Sequence, residues 1–120
     1  MSGEFFPVAV PDIGELEHRY VSDAVRSGWV SSIGEYIGRF ESAFAAFCEA
    51  KHGIAVANGT VAIEVALKAI GVGPGDEVIV PAMTFAAVGA VVVHLGAEPV
   101  LADVDSDCWC IDPRAVERGL

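Results

Sequence analysis

The alternation of short apolar segments with helical segments from residue 53 onward restricts the fold more than any other feature. Three apolar runs bounded by turn residues predict strands at residues 53–57, 77–80 and 98–104. Helical patterns between them predict helices over residues 58–70 and 84–95. The order strand, helix, strand, helix, strand is typical of a parallel sheet with crossover helices. We therefore predict an α/β fold with a mainly parallel sheet for this part of the chain.

The first 52 residues carry helical patterns only. From Asp12 to about Arg26, apolar residues recur at helical spacing, and Asp12 is placed to cap this helix. A loop bounded by glycines follows at residues 28–34. A second predicted helix then places five residues on one face: Ile37, Phe40, Phe44, Phe47 and Cys48. We therefore divide the chain into a helical lead-in, residues 1–52, and a β-α-β-α-β segment, residues 53–120.

The charge balance limits the partners that the chain can bind. The sequence has 17 acidic residues against 7 basic residues, which gives a net charge of −10. Nucleic acids and anionic membrane surfaces are bound through basic faces, so we predict neither as a partner. The most apolar segment, residues 85–93, is well short of the roughly 20 residues that a membrane-spanning helix needs. We predict a buried helix there.

Neither the cysteines nor the aspartates form the pattern of a metal site. The three cysteines have no second cysteine or histidine pair at zinc-ligand spacing, so we predict reduced thiols in a cytoplasmic protein. Three aspartates alternate as in a calcium-binding loop: Asp103, Asp105 and Asp107. Cys108 and Arg114 stand where that loop requires glycine and glutamate. We predict turn-forming aspartates and no metal.

Two further signals have plain structural interpretations. The glycine-rich run at residues 71–75 follows a helix and precedes a strand, which is the reverse of a dinucleotide-binding fingerprint. His94 lies on an apolar helix and is predicted to be a core residue. His18 and His52 are predicted to lie at the surface.

Ligands of parallel sheets bind beyond the carboxyl ends of the strands, and two loops there carry suitable residues. In Asn58-Gly59-Thr60, glycine permits close backbone approach to an anion, threonine offers a hydroxyl, and the helix start offers unpaired amides. The alternative is a simple turn with Thr60 as the N-cap. Phe85 follows the second strand and can stack on a planar ring, or it can be a core residue.

Together, these motifs resemble the opening of the DegT/DnrJ/EryC1/StrS aminotransferases. The resemblance covers about residues 7–120 and is carried by Gly28-Trp29-Val30-Ser31-Ser32-Ile33-Gly34, Phe40-Glu41, Ala57-Asn58-Gly59-Thr60, Gly73-Pro74-Gly75-Asp76-Glu77-Val78-Ile79-Val80-Pro81, Thr84-Phe85, Gly96-Ala97-Glu98-Pro99-Val100 and Ile111-Asp112-Pro113.

The resemblance implies the start of the large domain of a fold-type-I enzyme that uses pyridoxal 5'-phosphate (PLP). Such enzymes transfer an amino group, usually from glutamate, to nucleotide-linked keto-sugars in amino-sugar, polysaccharide or glycoside biosynthesis. The resemblance places the PLP phosphate at Gly59 and Thr60, next to Asn58, and the pyridine ring against Phe85. It places three weaker candidates near the substrate: Trp29, Ser31 and Ser32.

The family's catalytic lysine and the acid that pairs with the ring nitrogen lie downstream of residue 120 in its members. The lysines of this sequence, Lys51 and Lys68, stand at positions that the family does not use for catalysis. We therefore expect no catalytic residue in this chain, an incomplete large domain, and no transamination by the chain alone. The family's homodimer is expected for a full-length parent.

Three other interpretations fit parts of the sequence. PLP-dependent sugar dehydratases share this N-terminal region and replace the catalytic lysine with histidine, so residues 1–120 do not separate them from aminotransferases. A non-catalytic binding or regulatory module of the same fold is a second alternative. A generic nucleotide-binding α/β domain is the third, and the absence of a glycine-rich fingerprint after a strand argues against it.

Overall fold

The computed structural model describes residue 7 and residues 9–119, and the chain divides into two units. The first unit is Met1–Ala55 and the second is Val56–Leu120. Among the described residues, the first unit contains two helices, and the second contains three helices and two strands. Within the same residues, no helix combines the length and apolar character that crossing a membrane requires.

Helix α1 of the first unit spans Glu15–Ser27 and begins later than the sequence pattern predicts. The side chain of Glu17 reaches back to the backbone N–H of Gly14, with 2.8 Å between N and Oε2. This contact across the first turn, with Gly14 as the residue before the helix, is typical of a helix start, so the prediction that Asp12 caps the helix is wrong. Gly28 caps the end of the helix, and only glycine readily adopts its φ of 78°.

Helix α2 spans Glu35–Phe47 and contacts α1 through aromatic side chains. The rings of Tyr20 and Tyr36 lie 5.4 Å apart between centroids. The Tyr36 hydroxyl donates to Asp23 at 2.6 Å, and this bond raises the pKa of Tyr36 above its ordinary value. These two helices therefore meet along a mainly polar and aromatic surface.

The segment predicted as the first strand, residues 53–57, does not form a strand in the described part of the chain. The backbone N–H of Ala55 donates to the Glu41 carboxylate at 2.8 Å instead of to another strand. At Gly53, an added Cβ would lie 2.6 Å from the Glu41 carbonyl oxygen, so the chain passes α2 at a distance that only glycine allows. The prediction of a strand is therefore wrong for this chain.

The second unit alternates helices and strands as predicted from residue 58 onward. Its elements are α3 (Gly59–Ala69), β1 (Glu77–Pro81), α4 (Ala87–His94), β2 (Glu98–Ala102) and α5 (Pro113–Gly119). The strands are parallel, with Glu77 opposite Glu98 and Pro81 opposite Ala102. This confirms the predicted α/β class and the parallel pairing of these two strands.

A small apolar core holds the second unit together. Val80 of β1, Val92 of α4 and Ala97 form its buried centre. Four partly buried residues pack around it: Leu67, Val72, Val78 and Val88. The helix predicted at residues 85–93 is observed as α4, but within this segment only Val91 and Val92 are buried, and Phe85 and Val93 are exposed.

Two predictions at the ends of these elements are wrong. His94 is exposed, because α4 turns Val88 and Val92, four residues apart, toward the core and leaves its last residue outside. Strand β2 ends at Ala102 and does not continue to Val104. Val104 instead forms an isolated antiparallel bridge with Ile111.

Candidate functional site

Asn58 caps helix α3 and fixes where the helix begins. Its Oδ1 accepts a hydrogen bond from the backbone N–H of Val61 at 3.0 Å, and its carbonyl accepts from Ala62 at 3.0 Å. The alternative interpretation, with Thr60 as the N-cap, is wrong because Thr60 is already inside the helix.

The first turn of α3 presents hydrogen-bond donors outward. Within the described residues, the backbone N–H groups of Gly59 and Thr60 and the Thr60 hydroxyl have no hydrogen-bond partner. A Cβ added at Gly59 would meet no atom within 4 Å, so the space in front of this residue is open. Open amides at a helix start, together with a hydroxyl, form a site suited to a phosphate group.

One cavity brings all four predicted cofactor residues together. It measures about 580 Å³, and its lining residues are Asn58, Gly59, Thr60, Ile63, Phe85, Ala87 and Val88. The polar end is the start of α3, and the remaining wall is apolar. PLP is a flat ring with a phosphate at one end. Its phosphate matches the polar end of the cavity and its ring matches the apolar wall, so the residues present fit PLP. Their role in binding it stays a prediction.

The late start of α4 puts Phe85 in the cavity wall. The helix begins at Ala87, and the Phe85 carbonyl accepts from the N–H of Val88 at 3.0 Å. Phe85 is 80% exposed, so the interpretation of this residue as core is wrong. An exposed aromatic ring on a cavity wall can cover one face of a planar ligand.

Sequence reasoning missed the apolar residues of the cavity, Ile63 and Val88. Both follow from helical spacing once the helix starts are known. Ile63 lies four residues after Gly59, on the same face of α3, and Val88 lies in the first turn of α4. The sequence pattern did not show at which residue each helix begins, and without that position the two residues could not be assigned to the cavity.

The electrostatic potential at the cavity is set by backbone groups. None of the described residues that line it carries an ionisable side chain. An anion there would be held by the positive end of α3. Lys68 lies eight residues after Thr60, about 12 Å along the helix axis, and therefore at the opposite end of α3.

The three predicted substrate residues lie in the first unit. Trp29, Ser31 and Ser32 belong to the loop between α1 and α2 and are exposed. The backbone N–H of Trp29 donates to the Ser27 hydroxyl at 3.5 Å. Their part in substrate binding remains a prediction.

The loop after β2 uses its aspartates as predicted, to form turns. Oδ1 of Asp105 accepts from the N–H of Asp107 at 2.8 Å and from that of Cys108 at 3.2 Å. These bonds, the one from Asp107 first, lower the pKa of Asp105 below its ordinary value.

Comparison with known proteins points to a single family. The sequence model of the DegT/DnrJ/EryC1/StrS aminotransferase family matches residues 11–120. GDP-perosamine synthase of Vibrio cholerae is 44% identical over 114 residues, which cover 95% of this chain and 31% of that protein. Spore coat polysaccharide biosynthesis protein SpsC of Bacillus subtilis is 45% identical over 116 residues, 97% of this chain and 30% of that protein.

A solved structure agrees with these relatives. The putative sugar aminotransferase Spr1654 from Streptococcus pneumoniae, in its PLP form, superposes with a TM-score of 0.85 at 36% identity, over 96% of this chain and 29% of that one. This neighbour confirms the predicted fold class, that of the fold-type-I PLP aminotransferases. The chain spans about a third of the length of the curated relatives it matches.

Proposed function

Since this chain belongs to the DegT/DnrJ/EryC1/StrS aminotransferase family, we propose that it forms the phosphate- and ring-binding part of the cofactor site of a sugar aminotransferase. The observation that carries the proposal is the shared cavity of Gly59, Thr60 and Phe85. Family membership and a neighbour solved in PLP and PMP forms indicate PLP as the cofactor.

Each cavity residue has a distinct part in the proposed site. The N–H groups of Gly59 and Thr60 and the Thr60 hydroxyl donate to the phosphate, and the dipole of α3 favours its charge. Phe85 covers one face of the ring and, with Ile63 and Val88, keeps water from it. PLP, when bound, supplies the electron sink for the amino transfer.

The relatives and the family support a proposal for the substrates. We propose a nucleotide-linked keto-sugar as acceptor, since one relative is a GDP-perosamine synthase, and glutamate as the amino donor. Lys68 lies at the far end of α3 from the proposed phosphate site. We therefore propose that the 120-residue chain does not itself transaminate.

Pyridoxamine phosphate is the best probe of this site, because it has no aldehyde and cannot bond to a surface lysine. We expect the chain to bind it, as measured by equilibrium dialysis and by the phosphorus NMR line of the ligand. Pyridoxamine, which lacks the phosphate, should bind far more weakly. Mixing the chain with PLP, a keto-sugar nucleotide and glutamate should yield no amino sugar.

Matched variants separate the site from non-specific binding. Thr60→Val removes the hydroxyl and should weaken binding about tenfold, the effect of one hydrogen bond to a charged group. Thr84→Val makes the same change outside the cavity and should have no effect. Likewise Phe85→Ala should weaken binding and Phe47→Ala should not. Equal affinity for pyridoxamine and its phosphate, or an unaffected Thr60→Val variant, would contradict the proposal.

A further inference from the structure

The loop that follows β2 is closed by backbone hydrogen bonds at its base and within it. Val104 and Ile111 form the antiparallel bridge at its base. Inside the bridge, the N–H of Asp105 donates to the Cys110 carbonyl at 2.9 Å, and the N–H of Trp109 donates to the Asp105 carbonyl at 2.9 Å. The Asp105 carboxylate accepts two further amides of the same loop. The backbone on both sides of Trp109 is therefore held in one conformation.

Trp109 has an unusual backbone conformation that brings its two neighbours together. Its φ is 60°, in the left-handed region that residues other than glycine seldom adopt. Left-handed helical geometry separates the flanking Cα atoms by about 5.4 Å, the mirror image of two steps along an α-helix. Disulfides join Cα atoms that lie roughly 4.4–6.8 Å apart. The estimated Cα separation across Trp109 therefore falls within the range found for disulfides.

The residues on either side of Trp109 are both cysteines, and both are exposed. The pKa of Cys110 is raised, first by its hydrogen bond with the Cys108 side chain and then by the negative charge of the Cys108 thiolate. The Cys108 and Cys110 side chains therefore lie near each other on the exposed loop. Cys48, the third cysteine, follows α2 in the first unit.

We propose that Cys108 and Cys110 form a reversible disulfide across this loop, which makes the loop a dithiol modification site for small-molecule disulfides such as glutathione disulfide. The thiolate of one cysteine attacks a sulfur of glutathione disulfide and releases one glutathione thiolate. The second cysteine, as thiolate, attacks the mixed disulfide and releases the other. The chain loses two protons and two electrons, and one glutathione disulfide becomes two glutathione thiols.

The Cys48→Ser variant isolates the pair for the test. We would equilibrate it in buffers of increasing glutathione disulfide and measure intact mass and peptide linkage after acid quenching. We expect both thiols to disappear together, the mass to fall by that of two hydrogens, and a dithiol reductant to reverse the change. A stable glutathione adduct on one cysteine, a link between two chains, or two thiols that stay reduced throughout would overturn the proposal.

A second pair of variants tests whether the loop positions the thiols. Asp105→Ala removes the carboxylate that accepts two loop amides. We therefore expect the equilibrium constant for disulfide formation with glutathione disulfide to fall several-fold in this variant. Asp107→Ala removes the same charge from the same loop without removing those two bonds, and it should oxidise as the parent does. Equal equilibrium constants for parent, Asp105→Ala and the parent unfolded in urea would show that the fold does not favour the disulfide and would overturn the proposal.

Discussion

Asn58 connects the stability of α3 to the proposed phosphate site. Its side chain and its carbonyl occupy the amides of Val61 and Ala62. The amides of Gly59 and Thr60, two residues earlier, have no hydrogen-bond partner among the described residues, and both residues line the cavity. The first turn of α3 is therefore capped by Asn58 and at the same time offers backbone N–H donors to the proposed phosphate.

This arrangement predicts a local effect of removing the cap. Asn58→Ala should cost about 1 kcal/mol of helix stability and speed hydrogen exchange of the Val61 amide about fivefold. Asn58→Ser keeps an oxygen acceptor and should change the exchange rate little. Exchange measured by NMR on dilute samples provides the test. Equal rates in the parent and both variants would show that the side chain does not cap the helix.

At the scale of residues, the sequence predicted four residues that line one cavity, but not which of them precedes its helix and which lies inside it. Asn and Thr are both good capping residues, and Asn58 and Thr60 are two positions apart. Only the extended backbone of Asn58, with a φ of −168°, decides which of them precedes the helix. Phe85 was ambiguous for a similar reason, because its exposure depends on the residue at which α4 begins.

At the scale of elements, pairing decides which apolar segments become strands. The pattern of residues 53–57 resembles those of β1 and β2, and sequence alone predicts all three alike. β1 and β2 pair with each other, whereas the Ala55 amide donates to Glu41. A sequence pattern reports the tendency of a segment to be a strand, but the hydrogen-bond partner comes from elsewhere in the fold.

Helix α4 links the two strands through its buried face, and a matched pair of variants tests this. Val92→Ala removes two methyl groups from a fully buried side chain of the core and should cost about 2 kcal/mol. Amide exchange within β1 and β2 should then be about 30-fold faster, as measured by mass spectrometry. Val93→Ala makes the same change at an exposed position of the same helix and should stay within about 0.5 kcal/mol of the parent. Similar effects of the two variants would contradict this packing.

At the scale of the whole molecule, the chain leaves much apolar surface exposed. The most exposed large apolar side chains include Phe47, Phe85, Ile70 and Ile54, each more than three-quarters exposed. The outer edges of the two-stranded sheet are also unpaired within the described residues. Exposed apolar surface and unpaired edges both favour association between chains, while the net charge of −10 opposes it.

Apolar attraction and charge repulsion together predict self-association that increases with salt concentration. Because salt screens the repulsion between negatively charged chains and leaves the apolar attraction in place, the weight-average mass in sedimentation experiments should rise with protein concentration, and more steeply at high ionic strength. Phe47→Lys should weaken the association by replacing an exposed aromatic ring. His52→Lys adds the same charge at an exposed polar position and should have much less effect. A chain that stays monomeric at every salt concentration, with one sharp cooperative unfolding transition, would show that the exposed surface does not drive association.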